Sequence, residues 1–342
     1  MDETSPTTVC GQVRLGSTGP VVSRVGLGTM RISSALPART SAEREEEGLR
    51  TIRAATDSGI TLIDTGDFYS GGHNELLVGR ALKELDRDSM VLSVKFGMLQ
   101  LPGGGMPGVD GRPESVKNFL TYSLTRLGVD HIDIYRLARI DQTVPVEDTV
   151  GALAELVEQG YIRYIGLSEI GATALRRAAA VHPISDLQIE YSLIEREREK
   201  EVIPAARELG IGITAYGILS HGLLSEAFLS GRTAHEPGQF MHPRFQGEAG
   251  ARNLVIAQAL ARVAEQHGAT LAQAATAWVL AQGEDIVPIV GSTRVASLRE
   301  SLKALDLVFT KADLAAIESA VPPEGLAGDR HIPQQMQFFD RG

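Results

Sequence analysis

Residues 132–167, IDIYRLARIDQTVPVEDTVGALAELVEQGYIRYIGL, contain the pattern that decides the fold. Ile132–Leu137 and Ile162–Leu167 are short β-rich runs, and Asp148–Gln159 between them has apolar residues at helical spacing. A strand, a crossover helix and a second strand make up the parallel βαβ unit. This stretch therefore predicts one unit of a parallel sheet that is covered by helices.

The same alternation of strand and helix extends along most of the chain. Further strands are predicted at Arg24–Gly28, Thr61–Asp64, Met90–Lys95, Asp186–Glu190, Gly212–Tyr216 and Asp285–Val290. Further helices are predicted at Glu43–Ser58, Pro113–Leu127 and near residues 172–181, 196–208, 253–267 and 295–304. Eight strands separated by helices favour a closed (β/α)8 TIM barrel or a doubly wound sheet. The turn after the first barrel strand lacks the third glycine of a dinucleotide-binding turn, so we prefer the barrel.

Three segments fall outside the repeating units. We expect all 342 residues to form a single barrel domain, because barrels of this length are common. Residues 12–22 read as an N-terminal β-hairpin that turns at Thr18-Gly19-Pro20 and closes the bottom of the barrel. Residues 218–252 and the tail 321–342 are irregular and contain glycine and proline, which is typical of long loops over the C-terminal face.

Composition excludes several classes of partner. The net charge of −10 and the pI near 5.4 argue against binding to nucleic acid. The single cysteine, Cys10, excludes an internal disulfide, and the histidines show no metal-ligand spacing, so no metal site is predicted. Neither a signal peptide nor an apolar run of about 20 residues is apparent. We expect a cytoplasmic protein that acts on a small molecule, in an oligomeric state that the sequence does not decide.

Charged and phenolic side chains follow two neighbouring predicted strands. Asp64 ends one strand, Tyr69 follows five residues later, and Lys95 ends the next strand. In a barrel these C-terminal strand ends meet at the active-site face. A nearby ammonium lowers the pKa of a tyrosine, and a carboxylate keeps that ammonium charged, so the trio can serve as a general acid. The alternative is that Asp64 and Lys95 form a structural ion pair and that Tyr69 only contributes to packing.

The sequence resembles the aldo-keto reductase family from Val13 to about Ala304. The motifs that carry the resemblance appear in the family's order and spacing. They are RLGSTGPVVSRVGLGTM (14–30), LIDTGDFYSGGHNELLVGRAL (62–82), SVKFG (93–97), GLSEI (166–170), DLQIEYSLI (186–194), TAYGILSHGLLS (214–225) and VPIVGSTRVASLRESL (287–302). The resemblance implies a (β/α)8 barrel that takes hydride from NADPH and reduces a carbonyl group.

The resemblance also implies a role for individual residues. Tyr69 would be the general acid, tuned by Lys95 and Asp64. The nicotinamide would be held by Gly28, Thr29, Met30, Asp64, Ser168 and Gln188, with Tyr216 stacked on its ring. The pyrophosphate would be wrapped by Gly217, Ile218, Leu219, Ser220 and Gly222. The adenosine 2′-phosphate would be bound around Gly291, Ser292, Thr293, Arg294, Ser297 and Ser301. Glu169 stands where many members have asparagine.

One position departs from the family pattern. The family places a catalytic histidine after the fourth strand, and this chain has Ala138 there, in YRLARID (135–141). Alanine can neither donate a hydrogen bond nor transfer a proton, so a polarising group for the substrate oxygen is missing. Three interpretations remain open: a carbonyl reductase that relies on Tyr69, an enzyme for C=N or C=C reduction or internal redox chemistry, and an NADPH-binding sensor with weak catalysis.

Other residues could compensate for the missing histidine. Arg136 and Arg139 lie close to Ala138, and a guanidinium can bind an anionic or oxygen-rich substrate. Their simpler interpretation, which we favour, is an ion pair with Asp133 or Asp141. His221 and His331 are interpreted as surface residues.

Overall fold

The structure, a computed structural model, describes residues 10–33, 41–102, 105–231, 242–322 and 325–331. The strands are β1 (Gln12–Arg14), β2 (Val21–Ser23), β3 (Gly26–Gly28), β4 (Leu62–Gly66), β5 (Val91–Phe96), β6 (Ile132–Leu137), β7 (Ile162–Ser168), β8 (Asp186–Glu190), β9 (Gly212–Tyr216) and β10 (Ile286–Gly291). The helices are α1 (Ala42–Asp57), α2 (His73–Leu82), α3 (Pro113–Leu127), α4 (Val146–Glu158), α5 (Ala172–Val181), α6 (Val202–Glu208), α7 (Glu226–Leu229), α8 (Gly247–Gln266), α9 (Leu271–Leu280), α10 (Val295–Leu302) and α11 (Lys311–Ser319).

Eight parallel strands close into a barrel, in the order β10-β3-β4-β5-β6-β7-β8-β9. Strands β1 and β2 form a separate antiparallel hairpin. The predicted (β/α)8 TIM barrel with an N-terminal hairpin is therefore confirmed. The prediction that all 342 residues form one domain stays a prediction. In the described part of the chain, no helix combines the length and the apolar character needed to cross a membrane.

All eight predicted barrel strands are present, with ends that differ by one or two residues. Four helices were missed, α2, α7, α9 and α11. The sequence of α9, LAQAATAWVL, is almost entirely buried, so it lacks the polar face that would give a helical period. Residues 218–252 were predicted to be irregular. The last part of that prediction was wrong, because helix α8 already begins at Gly247.

The hairpin closes the N-terminal end of the barrel. Leu15, at its turn, is completely buried in a cluster that includes Leu62, Ile134 and Val287 from three barrel strands. The Ser17 amide donates to the Gly210 carbonyl at 2.7 Å. Gly16 adopts φ +65°, and a Cβ there would lie 2.4 Å from the Gly212 amide nitrogen, so the turn needs glycine to approach this closely. The expected plug is confirmed.

Side chains alternate along each barrel strand between the surrounding helices and the interior. Along β6, Tyr135 and Leu137 pack outward with the helices, whereas Ile134 belongs to the interior cluster beneath the hairpin plug. The same period of two brings Arg136 into the barrel, two residues above Ile134. The barrel interior therefore has an apolar floor with a polar layer above it.

That polar layer is a buried charge network, in which Asp64, Lys95, Arg136 and Asp186 are at most 4% exposed. Lys95 Nζ pairs with Asp64 Oδ1 and donates to the Thr65 carbonyl at 2.8 Å. Arg136 donates to Asp64 Oδ2 at 2.7 Å and, through Nε, to Asp186 Oδ2 at 2.6 Å. Two carboxylates thus face two cations. Gln188 and Thr214 also donate hydrogen bonds to these carboxylates, so the network connects five of the eight barrel strands.

Burial and charge oppose each other in this network. Burial alone would raise the pKa of Asp64, but the charges of Lys95 and Arg136 outweigh it and the net shift is downward. Burial lowers the pKa of Lys95 to about 8, although Asp64 opposes the shift. Each charge is therefore stable inside the barrel because its partner is present.

We predict that Arg136→Met destabilises the protein by about 3–5 kcal/mol, because it leaves two buried carboxylates without their shared cation. The matched control is Arg163→Met on the next strand. Arg163 pairs with Asp133 at 3.1 Å, but its side chain is 49% exposed, so the loss should stay below about 1 kcal/mol. The measurement is the free energy of unfolding in denaturant. Equal losses in the two variants would contradict a stabilising role for the network.

Candidate active site

The open end of the barrel is formed by the last inward-facing residues of its strands. Ala138, directly after β6, is completely buried, and its amide donates to the Phe96 carbonyl at 2.9 Å. Ser168 and Gln188 are paired in register at the ends of β7 and β8. Tyr216 ends β9 opposite Glu190. The structure thus brings these predicted site residues to one mouth, next to Lys95.

Tyr69 lies above the buried charge network. It begins the 3₁₀ turn Tyr69–Gly72, three residues beyond the end of β4 at Gly66, and Ser70 in this turn adopts φ 52°. The Ser70 and Ser33 hydroxyls lie 2.7 Å apart, which connects this turn to the segment after β3. Lys95 Nζ is 5.0 Å from the centroid of the Tyr69 ring. The three residues predicted as an acid device therefore meet, and the negative charge of Asp64 acts on the Tyr69 phenol.

The expected lowering of the Tyr69 pKa is wrong. Burial raises the pKa of Tyr69 above its usual value near 10, and the negative charge of Asp64 adds to the rise, while Arg139 and Arg136 oppose it. The sequence pattern could not show that burial would dominate over a neighbouring ammonium. The phenol is consequently protonated at neutral pH, which is the form that can donate a proton.

Asn74, which sequence reasoning missed, fixes the backbone around Tyr69. It is fully buried at the start of α2. Its Oδ1 accepts hydrogen bonds from Thr29 Oγ1 at 2.8 Å and from Thr65 Oγ1 at 2.7 Å. Its amide nitrogen donates to the Thr29 carbonyl and to Ser33 Oγ. One amide side chain therefore ties the ends of β3 and β4 to the helix that follows Tyr69.

Arg139 reaches across the mouth above Ala138. Its Nη1 donates to the Ala138 carbonyl at 2.6 Å and to Ser168 Oγ at 3.5 Å. Its Nη2 donates to the Tyr216 hydroxyl at 3.4 Å. The chain thus places a partly buried guanidinium beside the position where the family has its histidine.

The ion pairs favoured for Arg136 were wrong. Arg136 binds Asp64 and Asp186 inside the barrel. Asp133 pairs with Arg87 at 2.6 Å, and Asp141 accepts from the Gly111 amide at 3.0 Å. Residues close in sequence were the natural candidates, but the period of two turns Arg136 into the barrel interior, toward β4 and β8, which each lie two strands from β6.

The residues predicted around the nicotinamide occupy different depths. Gly28 ends β3 and pairs in register with Asp64. Thr29 is buried and donates to the Asp64 carbonyl at 2.9 Å, whereas Met30 is 50% exposed. Gln188 lies deeper, where its amide donates to Asp64 Oδ2 at 3.0 Å. Gln188 therefore also belongs to the charge network.

The segment predicted to wrap a pyrophosphate is a tight turn after Tyr216. Gly217, Ser220, His221 and Gly222 all adopt positive φ angles, between 46° and 98°. Ile218 is buried, and Leu219 packs partly buried against the main core. The Ser220 side chain is also buried, and its hydroxyl has no hydrogen-bond partner among the described residues. A buried hydroxyl of this kind can accept or donate a hydrogen bond to a ligand in the turn.

The predicted 2′-phosphate segment lies at the N-terminus of α10. Gly291 ends β10, and the exposed Arg294 is the cap residue of the helix. Ser292 Oγ donates to the Arg294 carbonyl at 2.9 Å, and Ser301 Oγ donates to the Ser297 carbonyl at 3.0 Å. Thr293 and Ser297 are half-buried. These residues form one surface at the end of the mouth.

Glu47 of α1 also lies at this surface and was not predicted. Its Oε1 accepts from the Val295 amide at 3.3 Å. Hydrogen bonds from Arg50 and from Val295 lower the pKa of Glu47, so the carboxylate is ionised at neutral pH. A negative charge therefore stands within reach of Arg294.

Glu169, the residue that replaces the family's asparagine, is completely buried. Its Oε1 accepts from the Glu190 amide at 2.6 Å, and its Oε2 accepts from Arg198 at 2.9 Å and from Arg330 at 3.3 Å. Arg330 comes from the C-terminal tail. The described part of the tail, residues 325–331, therefore returns to the mouth as predicted; residues 332–342 lie outside the described residues.

The interpretation of His221 and His331 as surface residues was wrong. His331 is 7% exposed, and the side chain of His221 is 25% exposed. The two rings lie with that of His242 at the rim of the mouth. Their separation of 110 residues along the chain hid this arrangement from any search for metal-ligand spacing.

Comparison with known proteins agrees with this geometry. The profile of the Aldo/keto reductase family matches residues 24–322. The probable aldo-keto reductase 1 of Glycine max is 41% identical over 321 residues, which are 93% of this chain and 91% of the relative. The structure of a glycerol dehydrogenase from Gluconobacter oxydans superposes with a TM-score of 0.82 at 28% identity, covering 95% of this chain and 97% of that one.

A thermostable aldo-keto reductase, crystallised with the inhibitor epalrestat, gives a TM-score of 0.73 at 29% identity and covers 90% of this chain and 99% of its own. A family match over most of the chain, together with these relatives, agrees with the barrel fold. This chain therefore belongs to the aldo/keto reductase family of oxidoreductases.

Proposed function

We propose that this protein uses NADPH to reduce the carbonyl group of a small organic molecule, with Tyr69 as the general acid. The observation that carries the proposal is the position of the Tyr69 ring, whose centroid lies 5.0 Å from Lys95 Nζ at the barrel mouth. The Tyr69 phenol is protonated at neutral pH and can give its proton to the oxygen that becomes an alkoxide. Lys95 and Asp64 support that proton transfer from below.

Residues around the mouth fit a dinucleotide. The buried Ser220 hydroxyl is available to a phosphate oxygen, and the tight turn from Gly217 to Gly222 brings the backbone close to it. Tyr216 and Ser168, which end β9 and β7 at the mouth, are the residues that would border the nicotinamide. The bound cofactor would supply the hydride, and the chain's own residues would orient the carbonyl and protonate its oxygen.

Arg139 is the candidate for polarising or anchoring the substrate. Its guanidinium lies between Ser168 and Tyr216, beside the methyl group of Ala138. A fixed guanidinium recognises a carboxylate, a phosphate or a cluster of oxygen atoms. We therefore propose that the preferred carbonyl substrates carry an anionic or oxygen-rich group.

Replacing Tyr69 with phenylalanine tests the role of the acid. We expect Tyr69→Phe to lower kcat for NADPH-dependent carbonyl reduction by about 10²–10⁴-fold, because the phenolic proton is lost while the ring remains. Steady-state kinetics of NADPH oxidation provide the measurement, and fluorescence titration should show unchanged NADPH affinity. Tyr122→Phe, at a tyrosine that is 51% exposed, is the control. If Tyr69→Phe reduces carbonyls at the native rate, Tyr69 is not the acid.

Replacing Ala138 with histidine tests whether the missing donor sets substrate choice. Removing one transition-state hydrogen-bond donor typically costs about 10²–10³-fold in kcat. We expect Ala138→His to accelerate reduction of simple aldehydes by at least about tenfold and to slow reduction of anionic carbonyl compounds that bind Arg139. The assay is NADPH oxidation over a panel of aldehydes, quinones, ketosugars and cyclic imines.

The result also separates the remaining interpretations. Cyclic imines reduced faster than every carbonyl would favour a C=N reductase. NADPH binding without turnover in both proteins would favour a sensor. Efficient turnover of simple aldehydes by the native protein would contradict the idea that Ala138 directs the enzyme toward anionic substrates.

The opposite charges of Arg294 and Glu47 allow the preference for NADPH to be tested. Arg294→Ala should raise the Kd for NADPH about 10–100-fold and leave the Kd for NADH unchanged, because it removes a charged hydrogen bond to the 2′-phosphate.

Glu47→Gln should lower the Kd for NADPH, since it removes an ionised carboxylate from the same surface. Both constants are measured by fluorescence titration, with Arg299→Ala at the other end of α10 as the control. Equal changes for both cofactors would argue against a 2′-phosphate site.

A further inference from the structure

Three of the chain's eight histidines meet at the rim of the barrel mouth. One ring nitrogen from each of His221, His242 and His331 lies within 4.8 Å of the other two. The rings of His221 and His242 stack with centroids 4.3 Å apart, and that of His331 lies edge-on to His221 at 5.2 Å. The residues come from the turn after β9, the segment before α8 and the C-terminal tail.

A buried carboxylate completes this cluster from below. Glu190, at the end of β8, is completely buried, and its Oε1 accepts no hydrogen bond from the described residues. That oxygen lies 3.8 Å from His221 Nε2, and the other, Oε2, lies 3.2 Å from His331 Nε2 and 3.4 Å from Arg330 Nε. Oε1 therefore faces His221, whereas Oε2 faces both His331 and Arg330. His242 Nδ1 is likewise buried without a hydrogen-bond partner in the described parts of the chain.

We propose that His221, His242, His331 and Glu190 bind one divalent transition-metal ion, with zinc as the ion that this ligand set fits best. Three imidazoles and one carboxylate oxygen are typical ligands for zinc in a four-coordinate site. Zinc–nitrogen bonds of about 2.0–2.1 Å place tetrahedral ligands about 3.4 Å apart, so the rings need to move together by about 1 Å.

The segments that hold the ligands are well anchored. Asn253 of α8 donates to the Ala327 carbonyl at 2.9 Å and accepts from the Ala327 amide at 2.9 Å. It also donates to the Arg244 carbonyl, two residues after His242. His221 has a left-handed backbone conformation, with φ 57°, and such a conformation persists only when surrounding contacts hold it. The bound ion would therefore clamp the tail onto the turn after β9.

Metal titration of the untagged full-length protein tests the proposal. After removal of metal with a chelator, we expect one Co²⁺ per chain to bind with visible absorption bands of low-symmetry coordination, and Zn²⁺ to displace it. His242→Ala and His331→Ala should each weaken Co²⁺ binding by at least about tenfold, because each removes a ligand. His182→Ala is the matched control, since His182 hydrogen-bonds the neighbouring Pro183 carbonyl far from the cluster.

Several outcomes would overturn the proposal: no stoichiometric binding, equal affinity in all the histidine variants, or stabilisation by inorganic phosphate in place of Co²⁺. If a variant fails to fold, X-ray absorption of the zinc-loaded native protein decides. A shell of imidazole nitrogens at about 2.0–2.1 Å supports the site, and a shell of oxygen atoms alone refutes it. These measurements need no turnover, so they are independent of the proposed carbonyl reduction.

Discussion

Two carboxylates and two cations are enclosed inside the barrel, and the remainder of the site depends on their balance. Moving any one of them out of water is costly, and the cost is offset only when opposite charges and hydrogen bonds surround it. Asp64 occupies the centre, since Lys95, Arg136, Ser93 and Gln188 all contact its carboxylate. The strands that contribute these residues can therefore shift little without leaving a buried charge unpaired. This constraint keeps Lys95 directly below Tyr69.

The barrel could be predicted from the sequence because it rests on local patterns. Each strand is a short apolar run, and most helices show an apolar stripe, so the order of the elements was clear. The missed helix α9 is buried on nearly all sides and has no such stripe. Asp64, Tyr69 and Lys95 could be found because they lie on adjacent strands. The partners of Arg136 lie on β4 and β8, each two strands from β6, and the histidine cluster joins three distant segments, so neither arrangement leaves a pattern in the sequence.

Backbone conformation marks the same end of the barrel. In the described ranges, the non-glycine residues with positive φ are Ser70, Glu169, Ser220 and His221. All four lie within five residues of the C-terminal ends of β4, β7 and β9, where they border the mouth. Such conformations cost free energy and persist only when surrounding contacts hold them. A hydrogen bond between the Ser33 and Ser70 hydroxyls, and one from the Glu190 amide to Glu169 Oε1, supply such contacts. The backbone conformations that reduce stability are thus found at the end of the barrel where the predicted site residues converge.

The hairpin plug at the opposite end has a kinetic consequence. Leu15 fills the N-terminal end of the barrel, so that end offers no passage for a ligand. Two molecules that meet above Lys95 must then share one route to solvent. The molecule seated deeper has to arrive first and depart last, because the other one covers it. A buried leucine far from any chemistry thereby imposes an ordered sequence of binding and release on whatever pair of ligands the mouth accepts.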